Sequence, residues 1–293
     1  MQTQVLPIDT MTLSDEQLLS GDAGTPTMIA GVLRLPSACS QPLVVLLHGS
    51  SGYHDQIDEW VARFNQQSIA TFVIDSFTGR GLSNVDTNQS DLGRLSSIVD
   101  AYAALARLCQ HPSIDAKKIA LMGFSRGGQG ALYAAMSRFS KRFSQAPNHF
   151  AAFVSFYPNC SFQYIDDTQL VDRPIRIFHG ECDDFNPIAA SQMFTQRAQQ
   201  AGADIQLISY PDAQHGFDSQ ALPERIFRSK SQSTRHCQII EQTPGQLINQ
   251  ATGNRFSYSD TTIERGTHLG YQAKAAQDAQ RRVSEFFKQV FHL

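Results

Sequence analysis

The chain has 293 residues, of which 41% are hydrophobic and 10% aromatic, enough apolar material for a substantial packed core, which excludes a disordered chain. A formal net charge of −3, without any run of Lys or Arg, excludes a basic surface for nucleic-acid backbones. The longest apolar candidate, residues 43–47, is far short of the ~20 residues that cross a bilayer, so no membrane partner is expected.

The N-terminal segment has no Lys or Arg before Arg34 and carries Asp9, Asp15, Glu16 and Asp22. It lacks the basic start and apolar stretch of a secretory signal, so a cytoplasmic location is expected unless a signal was removed before residue 1. Short β-rich runs then alternate with longer segments of helical period. Strands are expected at residues 28–35 and 43–47, a helix at 56–67, a strand at 71–74, a helix at 92–109, a strand at 119–122 and a helix at 127–139. Strands follow at 151–156 and 175–178, a helix at 188–201, a strand at 205–210 and a terminal helix from about 271 to 291. This alternation predicts an α/β fold, a mostly parallel central sheet with helices on both faces. No repeat or Pro/Gly/Ser-rich linker divides the chain, so residues 1–293 read as one domain. Residues 219–270 break the rhythm, being rich in Gln, Ser, Thr and Arg without a clear period, and are expected to form an irregular insertion before the last helix. Five widely spaced cysteines (Cys39, Cys109, Cys160, Cys182, Cys237) suggest neither a disulfide framework nor a zinc site; mostly buried thiols are expected.

The strongest chemical signal is Gly123-Phe124-Ser125-Arg126-Gly127, a G-x-S-x-G between the apolar run Ile119-Ala120-Leu121-Met122 and a helical stretch. A nucleophile elbow needs a strand-to-helix turn tight enough to strain the serine backbone, and flanking glycines remove the Cβ atoms that would clash. Ser125 would stand at the strand end over a helix N-terminus that favours developing negative charge. A serine hydroxyl needs a histidine base and an acid to orient it, in the chain order Ser, Asp/Glu, His. Two later strands lead into suitable loops. The first carries Asp183, with Asp184 as competitor and an ordinary turn role as the alternative. The second carries His215 directly after the last strand; His268, beyond the irregular segment, is its rival. Loops at the carboxyl ends of strands in an open α/β sheet converge on one site. For the oxyanion hole, Arg126 supplies one backbone N–H and the small-residue loop His48-Gly49-Ser50-Ser51-Gly52 the other, from Ser50 or alternatively Ser51.

At these residues the sequence resembles the dienelactone hydrolase family of α/β-hydrolases. The match runs through His48-Gly49, the elbow at Ser125, His179-Gly180 with Asp183 and Pro187, and Tyr210-Pro211 leading to His215-Gly216-Phe217. Asp75-Ser76-Phe77 with Arg80-Gly81 resembles the D-S-F-x-x-R-G segment of one branch of that family. The resemblance implies a Ser125, Asp183, His215 triad, a small-molecule ester or lactone substrate, and no metal or organic cofactor. The type enzymes carry Cys at the elbow, so Ser125 shifts the expectation from dienelactone to general ester hydrolysis through an acyl-enzyme. Arg80 is expected near the pocket, where its guanidinium would bind a substrate carboxylate; the alternative is that it ties down its own loop through Asp75. Peptidase or amidase chemistry on the same triad, and a non-catalytic binding protein with this fold, are the competing readings.

Overall fold

The structure is a computed structural model that describes residues 1–37, 40–145 and 149–293, so Cys39 lies outside the described residues. The chain opens with strand β1 (Gln2–Thr12), helix α1 (Asp15–Ser20) and strand β2 (Thr25–Leu35). Then come β3 (Gln41–Leu47), α2 (Asp55–Gln66), β4 (Ala70–Asp75), α3 (Ser96–Leu108), β5 (Ile114–Phe124), α4 (Arg126–Ala134) and α5 (Ser137–Phe143). After them follow β6 (Phe153–Phe156), the two-residue β7 (Phe162–Gln163), β8 (Ile175–Gly180), α6 (Ile188–Gln200) and β9 (Ile205–Tyr210). The main sheet has eight strands in the order β1-β2-β4-β3-β5-β6-β8-β9. From β4 to β9 neighbours run parallel, and the register pairs Leu47 with Gly123, Phe124 with Phe156 and Gly180 with Tyr210. The carboxyl ends that carry the predicted loops are therefore level with one another. β1 and β2 join antiparallel at one edge. Pro7 interrupts the β1 pattern, and a residue without an N–H donor is tolerated on an edge strand such as this one.

The segment predicted to be irregular, residues 219–270, is instead built from short strands. These are β10 (Ile226–Ser233), β11 (Ile239–Thr243), β12 (Gln246–Asn249), β13 (Asn254–Arg255) and β14 (Glu264–Leu269). β10 pairs with β14, while β7, β11, β12 and β13 form a second small sheet. The strands are too polar for a readable period, yet Thr243-Pro244-Gly245-Gln246 is a turn signal, and Gly245 has φ 80° at the β11–β12 hairpin. Helix α7 (Ala273–Phe291) closes the chain.

Alternate residues of β3 feed two apolar layers, the arrangement of a strand buried on both faces. Leu43, Val45 and Leu47 join α3, α4 and α6 side chains on one side. Val44 and Leu46 pack with Trp60 and Phe64 of α2 and Phe287 of α7 on the other. Such side chains contribute roughly 1.5–3 kcal/mol each when fully buried. The helix expected at 127–139 is divided, because Met136 takes an extended backbone and bridges to Leu170. The helix expected from residue 92 starts at Ser96, where the Leu95 N–H is held by Asp15 Oδ1 at 2.9 Å. Of the thiols, only Cys237 is buried among the described residues; Cys109 and Cys160 are half-buried and Cys182 is exposed, against the expectation of mostly buried thiols. No described helix is long and apolar enough to cross a membrane.

Candidate active site

Ser125 occupies the turn between β5 and α4 with φ 54° and ψ −114°, a strained region for a residue with a side chain. The turn is possible because its neighbours lack Cβ atoms. A Cβ on Gly123 would lie 2.0 Å from the Gly127 carbonyl oxygen, and one on Gly127 2.3 Å from that of Leu47. The Ser125 N–H donates to Phe156 O at 2.9 Å, tying the elbow to the adjacent strand.

His215 follows β9 after a short loop and is buried. Its Nε2 lies 2.9 Å from Ser125 Oγ and its Nδ1 2.8 Å from Asp183 Oδ2. Asp183, in the loop after β8, is also buried, and its Oδ1 accepts the N–H groups of Phe185 and Asn186 at 2.8 Å each. Burial pushes the Asp183 carboxyl up, but the adjacent His215 and hydrogen bonds with His179 and His215 outweigh it and hold the group well below the ordinary carboxylate range. An ionised Asp183 only accepts, so His215 Nδ1 donates to it; in the neutral ring this tautomer leaves Nε2 to accept from the Ser125 hydroxyl. The imidazole is fixed between Tyr157 and Phe185, with ring centroids 4.5 and 4.7 Å away. Behind Tyr157, its hydroxyl donates to the buried Asp218 at 2.8 Å, and Asp218 also accepts from Trp60 Nε1 and Gln56 Nε2.

The rivals from the sequence find each other instead. His268 Nδ1 is 2.7 Å from Asp184 Oδ2, and the His268 N–H donates to Asp184 Oδ1 at 2.8 Å. Neither touches Ser125. The pair fastens β14 to the Asp183 loop, assisted by Arg235, which bonds Asp184 O and Glu264.

Ser125 and His215 line a cleft of about 340 Å³ together with Ser50, Ser51, Phe185 and Leu222. Gly49 passes beside the elbow, its Cβ position 3.4 Å from Ser125 Cβ. The backbone N–H groups of Ser50 and Arg126 have no backbone or side-chain acceptor among the described residues. The Ser50 carbonyl, in contrast, is held by the Val85 N–H at 2.8 Å. His48 closes the loop from behind, accepting the Ser76 N–H on Nε2 and donating from Nδ1 to Gly49 O at 2.8 Å; burial lowers its pKa, consistent with a neutral ring.

Arg80 does not line the pocket, contrary to the expectation from the sequence. Its side chain is 3% exposed and all five of its N–H donors are occupied away from the cleft. Nε donates to Thr12 Oγ1, Nη1 to Ser76 O and Asp100 Oδ2, and Nη2 to Met11 O and Asp100 Oδ1. It has no donor left for a substrate carboxylate, and its anchor is Asp100 rather than Asp75. The cationic side chain at the cleft is Arg228 of β10, accompanied by Asp55 and Asp86. No sequence signal marked Arg228, because the segment carrying it had no readable period.

A parallel sheet with a strained serine at one strand end and loops from the neighbouring strands converging on it defines the α/β-hydrolase superfamily. The profile of the dienelactone hydrolase family matches residues 29–291, and the chain belongs to that family. Among solved structures it is similar to a protein described as a dienelactone hydrolase from Klebsiella pneumoniae, with TM-score 0.59 and 14% identity, over 98% of this chain and 99% of that one. It is similar as well to a dienelactone hydrolase-like promiscuous phosphotriesterase from metagenomic libraries, with TM-score 0.63 and 17% identity, over 98% of both chains. Thermogutta terrifontis esterase 2 phosphorylated by paraoxon matches 66% of this chain and 81% of its own, with TM-score 0.51 and 20% identity. At these identities the likeness is one of fold. No curated protein sequence is significantly similar to this chain.

Proposed function

We propose that the protein is a serine hydrolase that cleaves a small carboxylic ester or lactone through an acyl-enzyme, with Ser125 as nucleophile, His215 as base and Asp183 as its orienting acid. The observation that carries this reading is the unbroken chain from Ser125 Oγ through the His215 ring to Asp183 Oδ2, at 2.9 and 2.8 Å, opening on a cleft. His215 Nε2 takes the hydroxyl proton as Oγ attacks the substrate carbonyl. The oxyanion settles between the N–H groups of Ser50 and Arg126, at the N-terminus of α4, where one such donor is worth ~10²–10³ in turnover. Collapse breaks the ester bond, and the imidazolium protonates the leaving alkoxide. Water, deprotonated by the same histidine, then attacks the acyl carbonyl and frees the acid and Ser125.

Residues 1–293 act in this reading as one domain, with 219–270 forming one wall of the site: Gly270 N–H donates to His215 O at 3.1 Å, and Leu222, Arg228 and Leu269 line the cleft. The esterase and phosphotriesterase named among the structural relatives agree with a hydrolase that acts on esters. A p-nitrophenyl ester series of increasing acyl length tests the proposal. Turnover of short acyl esters by the wild type, absent from Ser125→Ala, is expected; undiminished turnover by a clean Ser125→Ala preparation contradicts it.

A further inference from the structure

Ser50 and Arg126 come from segments far apart in sequence, yet their side chains meet on one atom. Gln89 Oε1 accepts the Ser50 hydroxyl at 3.0 Å and Arg126 Nη1 at 2.7 Å. Arginine only donates, so the atom facing it is the carbonyl oxygen, and its two lone pairs account for both bonds. Gln89 is buried, at 1% exposure, in a short 3₁₀ turn (Gln89–Asp91) that is not on the cleft. Its own backbone is held from the 219–270 segment, because the Gln89 N–H donates to Gln232 Oε1 at 2.9 Å and the Gln232 N–H to Asp86 O at 2.9 Å.

We infer that Gln89 is a positioning residue that sets the spacing of the two oxyanion-binding N–H groups by clamping the side chains of the residues that carry them. The physical need is specific. Two donors stabilise a developing charge only if both are already aimed at it, and a misplacement on the order of 1 Å costs about 100-fold. The Ser50 backbone is on a loop and the Arg126 backbone on a helix start, so no single element fixes their separation. Gln89 joins them, and Gln232 ties that joint to the wall of the cleft. The same arrangement gives the 219–270 segment a role in turnover as well as in shaping the pocket.

The clamp rests on the acyl-enzyme reading, and its test separates the two. Steady-state ester kinetics and inhibition by a trifluoromethyl ketone, which forms a tetrahedral adduct, are compared for wild type, Gln89→Leu and Gln89→Glu. Gln89→Leu removes the shared acceptor; kcat is expected to fall about 10- to 100-fold with KM nearly unchanged, and ketone affinity to fall in parallel. Gln89→Glu keeps two acceptor oxygens and is expected to recover most of that loss. Should Gln89→Leu fail to fold, Ser50→Ala severs one arm of the clamp while keeping the backbone N–H, and a several-fold fall in kcat alone is expected. An active wild type whose folded Gln89→Leu or Ser50→Ala variant retains full kcat and ketone affinity overturns the clamp. A loss expressed only in KM overturns it as well. Absent turnover in the wild type overturns the acyl-enzyme reading with it.

Discussion

Two adjacent aspartates each hold a histidine through the same atoms, Oδ2 and Nδ1, and the two pairs differ in burial and in what else the histidine meets. Asp183 meets His215 at 2.8 Å and Asp184 meets His268 at 2.7 Å. The first pair is almost wholly buried, with side chains 0% and 4% exposed; the second is at the surface, at 37% and 28%. His215 has its second nitrogen on Ser125, whereas His268 lies tilted against the exposed Phe227. Asp184 shares its charge with Arg235. An Asp–His contact alone is therefore not what singles out His215 as the proposed base. What singles it out is a hydroxyl within reach of its second nitrogen and a buried setting that favours one tautomer.

The largest effect expected is at the buried pair. His215→Ala should reduce ester turnover to near background, a loss comparable to the ~10⁶ by which removing the triad histidine slows the serine protease subtilisin, while His268→Ala keeps kcat within about threefold. Assays of both variants on one ester check this, and an inactive His268→Ala beside an active His215→Ala would exchange the two assignments. Asp183→Asn keeps the shape but loses the tautomer preference, for which ~10⁴ in turnover is the known scale in a serine protease. Asp184→Asn should leave turnover nearly intact.

The depressed Asp183 carboxyl also bears on stability. A group whose folded pKa is lowered stabilises the fold above its unfolded pKa and loses that contribution as pH falls. Urea unfolding of wild type and Asp183→Asn should therefore show a stability difference that is constant near neutrality and shrinks as pH falls below about 4. A difference unchanged between neutral pH and roughly pH 3 contradicts the assigned ionisation. Arg80→Met leaves Asp100 buried and unpaired, so a loss of roughly 3–5 kcal/mol in stability is expected, with the Michaelis constants of acidic and neutral esters moving together. A selective rise for acidic esters would return Arg80 to the substrate. The smallest effect belongs to the surface pair: breaking Asp184–His268 should cost about 0.2–1 kcal/mol.

The surroundings of the buried pair were legible in the sequence, because parallel strands buried on both faces are short apolar runs and the elbow needs glycines at fixed places. Gly123 and Gly127 had to lack Cβ atoms, and that requirement is visible without coordinates. The surroundings of the exposed pair were not. β10 to β14 are largely polar, so their pairing, and with it the place of His268, is decided by tertiary contact rather than by period. β1 was hidden by Pro7. The direction in which the Arg80 side chain turns is set by Asp100 and by the carbonyl of Met11, one from a helix and one from an edge strand that no local pattern connects. Gln89 was invisible for the same reason, since its function depends on Ser50 and Arg126 arriving from opposite sides.

Ser125 is the residue proposed to be acylated in turnover, and labelling with a fluorophosphonate followed by peptide mass mapping locates the reactive group. One adduct per chain on the peptide containing Ser125 is predicted, absent from Ser125→Ala, strongly slowed in His215→Ala and formed at nearly the wild-type rate in His268→Ala. An enzyme that turns over esters while its adduct maps to another residue, or that forms none, rules out Ser125 as the acylated group.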